Sequence, residues 1–332
     1  MDHKINISHD GKIKILQLTD MQIIDADQRR TPDRIDGWKL TEWLPEKNEE
    51  NVYSHIRYLV EKTNPDLIII TGDIIYGEFD DSGSTMREFC AFMDSLNIPW
   101  APVFGNHDNE TFMGTEWQCE MFENSKNCLF SRGNVFGNGN YSVGIYRGGE
   151  LVRVLYMMDS NGCGKLGISL GFRNDQLKWL TDSAKEHAGT PCFVCFHIPT
   201  RDFYDANIEA GYQTSDDASP SGFSSFEIGA DVPAKNGDFG KKHEYIPTSA
   251  MCDTILPQLK EIGADGVFAG HCHMANTSVL YRGIRFTYGF KTGLYDYYDK
   301  DALGGTLITL DGKDFDVEHI LVPESMRPEC RG

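Results

Sequence analysis

No apolar run in this 332-residue chain approaches the roughly 18 residues that a membrane-crossing helix requires, so no membrane partner is expected. Basic residues are also scarce: 31 Lys and Arg stand against 50 Asp and Glu, a formal charge of −19. That balance excludes nucleic acid held by a basic patch. It also repels an anionic substrate unless bound cations reverse the local field. No Pro- or Ser-rich linker, internal repeat or low-complexity tract divides the chain, so residues 1–332 are expected to form a single domain. The nine cysteines, an odd number, show no disulfide framework. Met1-Asp2-His3-Lys4 opens a polar segment with no apolar core of an export signal before the first strand. Together with reduced cysteines, this gives the cytoplasm as the expected compartment.

What the chain does have is a core's worth of apolar residues, 40% of the total, arranged as short β-rich runs between helical stretches. Runs at 13–19, 66–71, 99–104, 191–196 and 266–269 read as buried strands of βαβ units. Helices are expected near 48–62, 84–96, 113–123, 173–187 and 251–262. An antiparallel pair, 140–146 and 151–158, turns at Arg147-Gly148-Gly149-Glu150. Cys192 and Cys195 lie three apart in a strand, so they face opposite sides and read as buried thiols rather than a redox pair. Segment 200–250, rich in Gly, Ser, Asp and Ala, is expected to be a lid or substrate loop.

Each of the five runs ends in residues that ligate metals. Asp20-Met21-Gln22 follows the first, Gly72-Asp73 the second and Gly105-Asn106-His107-Asp108 the third; His197 follows the fourth, and Gly270-His271-Cys272-His273 the last. In open α/β sheets the site forms where strand C-termini meet loops. Five such ends argue for one shared metal site.

In order and context, over roughly residues 12–300, these segments resemble the calcineurin-like metallophosphoesterase superfamily. The resemblance implies an α/β fold, a four-layer αββα sandwich of two mixed β-sheets flanked by helices. It implies two metal ions bridged by Asp73, with Asp20 and His273 completing one site and Asn106, His197 and His271 the other. Two such ions clamp a phosphoryl group and generate a hydroxide nucleophile at neutral pH. His107 would protonate the leaving oxygen or stabilise the charge on it, and Asp108 would orient His107. The implied reaction is hydrolysis of a phosphate monoester, the substrate being a phosphorylated small molecule or a phosphoprotein.

Gln22 departs from the pattern, since the broad family carries a metal-binding His there. Gly72-Asp73-Ile74-Ile75-Tyr76 resembles the G-D-x-x-Y element of purple acid phosphatases, whose Tyr ligates ferric iron. Phe196-His197-Ile198-Pro199 and Tyr288-Gly289-Phe290-Lys291-Thr292-Gly293 look like segments of the smaller purple-acid-phosphatase-like branch. The implied metals are then iron with iron, zinc or manganese. Tyr76 stands open between iron ligand and packed aromatic, and Gln22 between ligand and polar loop residue. Arg29, Arg30, Arg34 and Arg201 are candidates to grip phosphate, and loop 21–47 with segment 200–250 would carry specificity. Two other functions fit the motifs: a phosphodiesterase acting on cyclic nucleotides or other diesters, and a non-catalytic binding protein on the same fold, for which Gln22 argues.

Overall fold

The apolar runs assemble into two mixed sheets packed face to face in a computed structural model describing residues 1–24, 48–162, 170–212, 236–242, 244 and 254–327. In chain order the strands are β1 (His3–Ile7), β2 (Ile13–Leu18), β3 (Leu67–Thr71), β4 (Trp100–Val103), β5 (Tyr141–Arg147), β6 (Glu150–Met157), β7 (Cys192–Cys195), β8 (Ala264–Ala269), β9 (Ser278–Tyr281), β10 (Ile284–Tyr288), β11 (Gly304–Asp311) and β12 (Asp314–Leu321). The smaller sheet runs β12-β11-β2-β3-β4 and the larger β1-β5-β6-β7-β8-β10-β9. Strands β2, β3 and β4 are parallel, with Ile15 opposite Leu67 and Ile68 opposite Trp100. In the larger sheet β6, β7, β8 and β10 are parallel neighbours. Parallel strands buried on both faces need apolar side chains in both directions, which is why these runs read as continuous rather than alternating.

The alternation appears in where each side chain goes. Leu155, Met157, Phe193, Cys195 and Phe268 enter the core between the sheets. Their neighbours Val154, Tyr156, Cys192, Val194 and Val267 pack outward against Leu180 of α4 (Asn174–Lys185), Phe203 of α5 (Arg201–Ala210) and Leu259 of α6 (Leu256–Ile262). Cys192 and Cys195 therefore do face opposite cores, both as free thiols. Helix α1 (Asn48–Thr63) packs on β2 and β11, and Phe89 of α2 (Ser84–Ser95) sets its ring edge-on to Trp100. Helix α3 (Thr115–Asn124) brings Phe122 against Phe104 and Phe130.

Two elements differ from the sequence expectation. Residues 3–7 form β1, a polar edge strand pairing in parallel with β5, with Ile5 and Ile7 as its only buried apolar side chains. Within 200–250, residues 201–210 form α5, closed by Gly211 at φ 99°. The remainder of loop 21–47 beyond Ile24, with Arg29, Arg30, Arg34, Trp38 and Trp43, lies outside the described residues, as do 213–235, His243 and 245–253. Among the described residues no helix is long and apolar enough to cross a membrane.

Candidate metal centre

The C-terminal ends of β2, β3, β4, β7 and β8 deliver Asp20, Asp73, Asn106, His197, His271 and His273 to one cleft between the sheets. Buried cross-links tie the two sheets there: Gln17 Nε2 donates to the Ala269 carbonyl at 3.0 Å, and the Thr71 carbonyl lies 2.7 Å from His197 Nδ1. The loops turn sharply, with Asp20 at φ 50°, Gln22 at 46°, Asp73 at 50° and His271 at 72°. Non-glycine residues rarely adopt such angles, which cost about 1–3 kcal/mol each and cluster at functional loops. The glycines of the motifs allow close approach. A Cβ on Gly105 would lie 2.1 Å from Asp73 Oδ1, and one on Gly270 2.1 Å from Thr19 Oγ and 2.8 Å from Asp20 Oδ2.

The ligand atoms converge at spacings that suit a shared cation. Asn106 Oδ1 is 2.8 Å from His271 Nδ1 and 3.1 Å from His197 Nε2, which is 3.3 Å from Asp73 Oδ2. His273 Nε2 is 3.4 Å from Asp20 Oδ1. Ligands about 2.1 Å from one ion sit about 3.0 Å apart in an octahedron and about 3.4 Å apart in a tetrahedron. Asp20, Asp73 and His197 each offer an atom within 4.8 Å of the others. Asp73 Oδ2 is buried with His197 Nε2 3.3 Å away and no well-formed hydrogen bond, an arrangement that favours a cation at that oxygen. Carbonyl oxygens fix the histidines: Thr71 O holds Nδ1 of His197 and Tyr297 O holds Nδ1 of His273 at 3.0 Å, leaving each Nε2 to ligate. The residues fit a metal.

Their electrostatics follow from burial among opposite charges. Burial raises Asp20 and Asp73, but the histidines beside them outweigh it and hold both below the usual carboxylate range. Burial lowers His197, yet Asp73 and Asp20 raise it to about 9. His271 is lowered to about 3 by burial and by its neighbour His197.

One assignment made from adjacency in sequence is corrected here. Asp108 does not orient His107: its carboxylate accepts the backbone N–H groups of Ile74 at 2.9 Å, Ile75 at 3.1 Å and Gly105 at 2.7 Å. Those bonds brace the loops that carry Asp73 and Asn106. Glu110, on the following 3₁₀ turn, takes the other role, with Oε2 2.7 Å from His107 Nδ1. An Asn-His-Asp-Asn-Glu turn places position i+3 back over position i, a signal the sequence did carry. Gln22, open between ligand and polar loop residue, has its Oε1, the one atom able to ligate, accepting the Lys291 ammonium, while its buried Nε2 is a donor. The Tyr76 ring stacks on His107 at 4.4 Å and 24°, and packs with Ile24 and Phe79. Arg201 is exposed and pairs with Asp205 on its own helix.

Sequence reasoning also missed the far wall. Glu244 accepts from Met274 N at 2.8 Å and from Tyr297 Oη at 2.9 Å, and the Tyr297 ring lies 4.4 Å from His273.

The model of the calcineurin-like phosphoesterase family matches residues 13–275, the span that carries every one of these ligands. The chain belongs to that family. Among relatives of this calcineurin-like phosphoesterase, "Probable inactive purple acid phosphatase 14" of Arabidopsis thaliana is 24% identical over 330 residues, covering 89% of this chain and 74% of that protein. "Phosphatase DCR2" of Saccharomyces cerevisiae is 28% identical over 290 residues, covering 81% of this chain and 45% of that protein. The solved purple acid phosphatase PPD1 from yellow lupin (Lupinus luteus) seeds is similar over 96% of this chain and 53% of its own, at 12% identity and a TM-score of 0.44. The two mixed sheets flanked by helices are those of the metallophosphoesterase fold.

Proposed function

We propose that this calcineurin-like phosphoesterase hydrolyses phosphate monoesters at a metal centre of two adjoining donor sets that share Asp73. The observation that carries this reading is the buried Asp73 carboxylate, with no well-formed hydrogen bond at Oδ2 and with ligand atoms of Asp20 and His197 within 4.8 Å. Bound metal supplies Lewis acidity toward the phosphoryl oxygens and lowers the pKa of water. The chain's own residues do the rest. Asp73 ties the His107 backbone to the metal site, since its Oδ1 accepts the His107 amide at 2.9 Å while its Oδ2 faces His197. His107 is part-buried at 13% exposure, and Glu110 on Nδ1 fixes its tautomer and favours the imidazolium. That form gives its Nε2 proton to a leaving oxygen. Segment 200–250, whose Glu244 borders His273, is assigned to substrate selection.

Kinship to purple acid phosphatases supports monoesters over diesters. The test is turnover of an aryl phosphate against the corresponding bis-aryl phosphate, each with added Fe²⁺, Zn²⁺ or Mn²⁺. Faster monoester cleavage supports the reading. Faster diester cleavage replaces it with a phosphodiesterase. Absence of turnover with metal bound favours a non-catalytic binding protein; the Arabidopsis relative is itself named "probable inactive".

A further inference from the structure

Lys291 is buried at 1% exposure beside the metal ligands, in the loop that follows β10. Its Nζ donates to the Asp20 carbonyl at 3.0 Å and to Gln22 Oε1. Nothing about this placement is loose. The next residue, Thr292, donates its N–H to the Thr19 carbonyl at 2.9 Å, and Gly293 donates to the Asp20 carbonyl at 3.3 Å. A Cβ on Gly293 would lie 1.9 Å from the Met21 carbonyl oxygen, so the 291–293 loop is seated flush on the 19–22 loop. Lys291 follows that loop into the centre.

The two donor sets are consequently unequal. Asp73, Asn106, His197 and His271 give one set four side-chain ligands. Asp20, Asp73 and His273 give the other three. Gln22, the residue placed to add a fourth, has spent its oxygen on an ammonium that also holds Asp20 by its backbone. We propose that Lys291 acts as a fixed cation on the Asp20 side, so the chain holds one metal ion tightly at the Asn106 set and a second only weakly. Removing the ammonium takes away a like charge from beside the weak set and frees Gln22 Oε1 to ligate. This inference rests on the reading of the cleft as a metal centre, and deepens it by naming which half is strong.

The experiment is Zn²⁺ binding to the metal-depleted full chain, followed calorimetrically and checked by elemental analysis after dialysis. The wild type is expected to retain one equivalent, with a second binding at least about tenfold more weakly. Lys291→Met is expected to tighten the second equivalent by about tenfold or more and leave the first unchanged. Gln22→Glu, which pairs the ammonium with a carboxylate, should tighten it in the same direction and decides the matter if the Lys291 variant does not fold. Asn106→Ala should remove the tight equivalent. Two equally tight ions in the wild type, or a second dissociation constant unmoved in both the Lys291 and Gln22 variants, would overturn the inference and leave the phosphoesterase reading standing. Binding of no Zn²⁺ at all would overturn both.

Discussion

Glu110 Oε2 lies 2.7 Å from His107 Nδ1, while the His107 amide N–H is held by Asp73 Oδ1 at 2.9 Å. The imidazole is thus fixed at its ring by one carboxylate and at its backbone by a metal ligand. Glu110→Gln keeps the shape and removes the charge that favours the imidazolium. It is expected to lower kcat on an aryl phosphate by about 10–100-fold with metal content unchanged. His107→Ala should lose roughly 10²–10⁴-fold in kcat, again with the metal retained. An unchanged kcat in either variant would remove that residue from proton transfer.

Asp108 has a different task. Its two oxygens accept three backbone N–H groups from the loops bearing Asp73 and Asn106, and burial together with the nearby Asp73 raises its pKa. Asp108→Ala leaves buried donors unpaired and should cost on the order of 3 kcal/mol in stability, read by chemical denaturation. Asp108→Asn retains acceptors and should cost less. A variant with wild-type stability and lost turnover would return Asp108 to a direct catalytic part.

Gly105 is required by space. With a Cβ 2.1 Å from Asp73 Oδ1 and 2.3 Å from its backbone nitrogen, Gly105→Ala must displace the shared ligand. The expected outcome is loss of bound metal with the sheets still folded, checked by elemental analysis beside far-ultraviolet circular dichroism.

How much of this could be read from the chain alone depends on what each residue is held by. The strand ends and the convergence of their six candidate ligands were legible because each candidate follows an apolar run, so local pattern and site coincide. Strand β1 was not, because an edge strand with one face exposed carries only Ile5 and Ile7 as apolar signal. Helix α5 hid inside a stretch whose overall composition is that of a loop, although Phe203, Ala206 and Ala210 recur at helical spacing. Lys291 was invisible for a physical reason: its partners are 269 and 271 residues away, and nothing in a Phe-Lys-Thr-Gly turn says that the ammonium is buried. The role expected of Asp108 falls to Glu110, because the chain neighbour of His107 turns its carboxylate to backbone N–H groups instead.

The pH dependence of stability should show a step that belongs to His319. Burial lowers its pKa to about 4, with Nε2 2.7 Å from the Asn276 carbonyl and Nδ1 2.9 Å from Thr306 Oγ. The unfolded chain binds that proton below pH about 6.5 and the folded chain only below about 4, so stability falls as pH drops through this window. The loss should be on the order of 3 kcal/mol across the window, and His319→Gln should flatten that part of the profile. A profile unaffected by the substitution would contradict the assignment.

The most direct test of the account is to measure bound metal and aryl phosphate turnover on the same preparations of wild type and Asp73→Asn. In the proposed centre Asp73 is the ligand both donor sets share, so the account predicts that metal content and kcat fall together in the variant and that added metal does not restore them. Turnover that persists in Asp73→Asn after its metal is gone would contradict it.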